Sequence, residues 1–135
     1  MQIFFAHASS CTIPELRHKI KGLREHIQGK SSVEAHVVAG RLDHQKNWRG
    51  NWDSWTYGVV SRKNAVTGKY VYDAFVVERP TCGKATASIL LEALRLGRAV
   101  FYWDSEQLLR VLDVGEGDPN DWTGGWNIVW GRGEE

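Results

Sequence analysis

Apolar residues occur along this chain in short bursts, and the spacing within each burst separates strands from helices. Ile3-Phe4-Phe5-Ala6 is a continuous apolar run and predicts a buried strand over residues 2–7. After a small polar loop, Thr12-Ile13-Pro14-Glu15 has the form of a capping box. The Thr12 hydroxyl can accept a free helical N–H, Glu15 can reach back, and Pro14 stands where its missing donor costs nothing. Leu16, Ile20, Leu23 and Ile27 then form the stripe of an amphipathic helix that stops at Gly29. Arg17, Lys19, Lys21 and Arg24 are expected on its solvated side.

Residues 33–38 are rich in β-formers, with Glu34 and His36 on one face, as on an edge strand. Trp48, Trp52, Trp55 and Val59 keep helical spacing, which predicts a second helix over residues 51–62. A turn is expected from Asn64 to Gly68, a strand over 70–77, a helix over 84–96 closed by Gly97, and a strand over 100–103. After Asp104 the pattern suggests a short helix at 106–109 and strands at 111–114 and 126–130. Strands alternating with helices imply an α/β fold: a small doubly wound parallel sheet, flavodoxin-like in its strand order 2-1-3-4-5, in three α/β/α layers.

A length of 135 residues suits one domain, residues 1–135, in which 115–135 form a Trp- and Gly-rich C-terminal extension. Seven Trp residues in a chain that is 42% hydrophobic exclude a disordered tail, because that surface has to be hidden. The formal net charge of +1 supplies no broad basic field, so nucleic acid is not the expected partner. No apolar run approaches bilayer length and no basic leader precedes residue 3, so a cytoplasmic protein without a membrane partner is expected. Cys11 and Cys82 make no disulfide framework, and His18, His26, His36 and His44 have no ligand spacing, so neither a metal nor a cofactor is implied.

In an open α/β sheet a ligand sits beyond the carboxyl ends of the strands, where the strand order reverses. With the order 2-1-3-4-5 that point lies between His7-Ala8-Ser9-Ser10-Cys11 and Glu78-Arg79-Pro80-Thr81-Cys82-Gly83-Lys84. Gly83 permits close approach to the backbone, and a helix starting near Lys84 directs free N–H groups at the crevice. Arg79 and Lys84 add positive charge, so Ser9, Ser10, Arg79, Thr81, Gly83 and Lys84 are the candidate ligand contacts. Trp48 and Trp52 border the same place and could stack on a nucleobase; core packing is their other role. Glu78 and His7 are the candidate catalytic carboxylate and acid/base, or else a strand-end charge paired with Arg79 and a satisfied terminal histidine.

Asp73-Ala-Phe-Val-Val77, the loop that follows, and a helix closing Ala93-Leu-Arg-Leu-Gly97-Arg98 resemble the third strand, loop and helix of the nucleoside 2-deoxyribosyltransferase-like superfamily. That group is itself similar to Rossmann-like nucleotide-binding and TIR-like domains. The resemblance implies binding of a nucleoside or nucleotide derivative, with cleavage or transfer at its N-glycosidic bond. It also implies a nucleophilic glutamate early in this helix, yet the matching position holds Ile89. Glu92, the nearest acid, shares a polar stripe with Lys84, Ser88 and Arg95 and is expected to pair with Arg95. The family's Gly-Pro after the first strand is replaced by His7-Ala8.

Two other functions fit the same residues. One is a non-catalytic protein that senses or sequesters a nucleotide ligand. The other is a protein-interaction module built on Trp122, Trp126 and Trp130, with a homo-oligomer left open. The spacing of Cys11 and Arg17 matches a phosphatase loop, but Pro14 removes a donor and Glu15 would repel the anion.

Overall fold

The computed structural model describes residues 1–7, 12–30, 32–39, 59–115, 117 and 125–131, of which Lys84 and Ala85 are described by their backbone alone. Strand β1 (Gln2–Ala6) leads into helix α1 (Ile13–Gln28), whose capping box is complete. The Glu15 N–H donates to Thr12 Oγ1 at 3.3 Å, and the Thr12 N–H donates to the Glu15 carboxylate at 3.2 Å. Strand β2 (His36–Val38) follows, then β3 (Ala74–Val77), β4 (Thr81–Cys82) and helix α2 (Lys84–Arg95). Strands β5 (Ala99–Trp103), β6 (Leu108–Val114) and β7 (Trp126–Trp130) complete the element order. Helix α2 ends where Gly97 takes a φ of +70°, a conformation that costs glycine little.

These strands form one mixed sheet in the order β2-β1-β3-β5-β6-β7-β4. β2, β1, β3 and β5 run parallel, while β6, β7 and β4 add antiparallel pairs. In the parallel half both faces are covered. Ile3, Phe5, Ala74 and Val76 pack against Leu16, Leu23 and Ile27 of α1. Phe4, Phe75, Val77 and Val100 pack against Ile89, Leu90 and Ala93 of α2, together with Val111, Val114 and Ile128 of the antiparallel half. Continuous apolar runs are what a strand buried on both faces requires.

The sheet must curl. β3 and β4 lie four places apart in the order, about 19 Å along a flat sheet. Yet Val77 and Thr81 are four residues apart, and four residues of extended chain span at most roughly 14 Å. The end that carries β7 and β4 therefore bends back toward the carboxyl end of β3. Tyr102 of β5 and Trp130 of β7, with β6 between them, meet on the concave side with ring centroids 4.6 Å apart. The Ile128 N–H donates to the Pro80 carbonyl at 2.9 Å, which ties the β3–β4 connection to β7.

This architecture corrects the expected one. The sheet is mixed, strand-rich and flanked by two helices among the described residues, so it is not a flavodoxin-like three-layer α/β/α fold with order 2-1-3-4-5. Alternating helices and strands imply a parallel sheet, but residues 106–109 form no helix; Leu108 already belongs to β6, and the two-residue β4 is too short to leave a periodic signal. In the second expected helix, residues 51–58 lie outside the described residues and 59–61 form a turn. β3 starts at Ala74 rather than at residue 70, because Tyr70 bridges back to Lys63 instead. Among the described residues no helix is long and apolar enough to cross a membrane.

Candidate functional site

β1 and β3 are neighbours in parallel register, with Ala6 opposite Val77. His7 and Glu78 are each the residue just beyond, so the structure brings the two catalytic candidates to adjacent strand ends. From β1 the chain leaves into α1 on one face; from β3 it leaves through β4 into α2 on the other. This divergence opens space between strand ends in parallel sheets.

Glu78 is enclosed, its side chain only 4% exposed, and Oε2 accepts a 3.0 Å hydrogen bond from Lys19 Nζ of α1. Lys19 is thus a partner that the sequence reading did not give Glu78; Arg79 is exposed. Sequence reading placed Lys19 on the solvated side of α1. Its position carried the opposite signal, since residue 19 lies three after Leu16 and four before Leu23, on the margin of the buried stripe. A carboxylate so enclosed and paired is not presented as a nucleophile would be.

Tyr102 lies opposite Val77 on β5 and is a second group that the sequence did not single out. Its phenol is pushed above its ordinary pKa by burial, then by the negative charges of Asp104 and Glu78, so it remains a hydroxyl donor. Asp104 is held below the ordinary carboxylate range, chiefly because the N–H groups of Gln107 and Glu106 donate to it at 2.8 Å each. That carboxylate is occupied in shaping the β5–β6 turn, where Ser105 adopts a φ of +82°.

The connection after β3 is less open than a free loop. Thr81 and Cys82 pair with Asn127 and Trp126 of β7, and Thr81 is half-buried. Burial raises the Cys82 thiol to about 11, which makes it a packing residue rather than a nucleophile. Gly83 is the N-cap of α2; it supplies no side-chain cap, and no acid stands in the first turn. Free N–H groups at that end suit an anion. Lys84 opens the helix. Ser9, Ser10, Trp48 and Trp52 lie outside the described residues.

Ile89, at the position of the family's nucleophile, is 3% exposed and belongs to the core under α2. Glu92 bonds Arg95 at 2.9 Å on the solvent side, and that hydrogen bond lowers its pKa. Among the described residues no group of three His, Cys, Asp or Glu side chains is placed to hold a metal ion. Comparison with known proteins gives no match to any family model, curated protein or solved structure.

Proposed function

We propose that the domain binds a nucleoside or nucleotide derivative at the carboxyl ends of β1 and β3, and that Glu78 holds the ligand rather than attacking it. The observation that carries this reading is the adjacency of His7 and Glu78 on parallel strand ends whose helices depart to opposite faces. The enclosed Glu78–Lys19 pair puts a carboxylate and an ammonium, both hydrogen-bonding groups, beside the strand ends. The α2 terminus at Gly83 offers N–H groups to a phosphate, and the resemblance around Asp73 to Arg98 points to the same ligand class.

Thermal denaturation with a panel of nucleosides, nucleotides and dinucleotides tests it. A ligand at a hundred times its dissociation constant adds about 2.7 kcal/mol, roughly a 10 °C rise in midpoint for a chain of this length. Gly83→Asp should keep the fold, since aspartate is a favourable N-cap, and abolish the rise for phosphorylated compounds. A panel without any shift, or an undiminished shift in Gly83→Asp, overturns the site. Release of free base that disappears in Glu78→Gln would make Glu78 catalytic instead.

A further inference from the structure

We propose that the hairpin of residues 61–70, which leads into the amino end of β3 and so lies away from the ligand site at its carboxyl end, docks an acidic segment of a partner protein. The hairpin leads through Asp73, whose carboxylate accepts the Gln2 N–H at 2.8 Å, into the amino end of β3. Its root is buried and braced. Val59, Val60 and Tyr72 sit in the core, and the Arg98 guanidinium donates to the Val60 carbonyl at 3.0 Å and to the Tyr72 carbonyl. Its outer part is wholly exposed, from Ser61 through Tyr70.

An exposed loop has no need of such order, yet this one is closely hydrogen-bonded. Lys63 and Tyr70 form an antiparallel bridge, and the Asn64 N–H donates to the Lys69 carbonyl at 2.8 Å. Asn64 Oδ1 accepts the N–H groups of Val66 and Thr67 at 2.8 and 3.1 Å, and Gly68 closes the turn with a φ of +70°. A preorganised element loses little conformational entropy when a partner binds.

The chemistry of the exposed surface selects the partner. Arg62, Lys63 and Lys69 project from a stretch, residues 59–72, that contains no acidic residue. Among the described residues no carboxylate lies within ion-pair distance of them. Val66 stands at the tip, 93% exposed, so the hairpin presents an apolar side chain on the same exposed turn as its cations. A nucleic acid fits less well. The Tyr70 ring already carries the Arg98 guanidinium at 3.9 Å and Lys63 Nζ at 5.1 Å, so its stacking surface is engaged within the protein. An acidic peptide with an apolar residue among its carboxylates complements both features.

Fluorescence anisotropy with a labelled peptide, Glu-Asp-Glu-Leu-Glu-Asp-Leu-Glu, tests this. Wild-type protein should bind it, more weakly as salt rises from about 0.05 to 0.5 M. Lys63→Glu/Lys69→Glu should weaken binding by about tenfold at an unchanged melting temperature, with Lys63→Gln/Lys69→Gln in between. Val66→Ser, which leaves the charges intact, should weaken it several-fold. No binding by wild-type protein, equal binding by the reversed pair, or tighter binding of a short duplex oligonucleotide than of the peptide would overturn the proposal.

Discussion

β1 and β3 bury both of their faces, whereas β6 beyond Leu108 and β7 bury only one. Every residue of β3 is buried, and so are the last four of β1. In β6 and β7, buried Val111, Val114 and Ile128 are interspersed with exposed positions, including Leu112 at 59% and Val129 at 45%. The difference comes from the helices: the core under α1 reaches the antiparallel half only at Leu108, while α2 sits inside the curl and packs with Val111, Val114 and Ile128. Two-sided cover makes the parallel half the rigid support from which His7 and Glu78 project.

The contrast predicts a graded response to substitution. Phe75→Ala removes a fully buried ring at the centre of the two-sided half and should lower stability by about 3–5 kcal/mol, read from the urea midpoint. A loss below about 1 kcal/mol would show that cover on both faces is not what holds this half together. Glu78→Gln leaves the Lys19 ammonium with a neutral partner. Because Lys19 is 35% exposed, the expected loss is nearer about 1–2 kcal/mol.

A smaller effect belongs to His26 of α1, whose ring lies 4.8 Å from that of Trp103. Burial, then the charge of Lys30, lowers its pKa, with Asp104 acting in the other direction. The fold thus favours the neutral ring. Its contribution is fully present above the ordinary histidine value and is lost as pH falls through the lowered one. Between about pH 7 and about pH 5 the urea midpoint should fall more steeply in wild type than in His26→Leu, and equal slopes would remove His26 from this role. The smallest effect is expected in the one-sided half: Leu112→Ser should change stability by no more than about 0.5 kcal/mol. A large loss there would mean that the exposed side of β6 is covered after all.

The same contrast explains how far the sequence could be read. Wherever a rule is local, the elements were legible: the capping box of Thr12 and Glu15, the Gly97 stop of α2, and the apolar run of β1. Of the candidate site, only the placement of two strand ends side by side was legible. Topology places His7 beside Glu78, but charge groups Lys19 with its basic neighbours while periodicity puts it at the margin of the buried stripe, so the two signals conflict at that position. Tyr102 looked like any residue of a buried strand.

Local pattern determined β1, α1, the core of β3, α2 and β5, because burial on one face or two leaves its period in the sequence. The tertiary structure alone decided the antiparallel half, the pairing of β4 with β7 and the enclosure of Glu78 by Lys19. Those features depend on which strands become neighbours, and neighbour choice is set by curl, twist and chain reach across distant residues, none of which leaves a periodic mark.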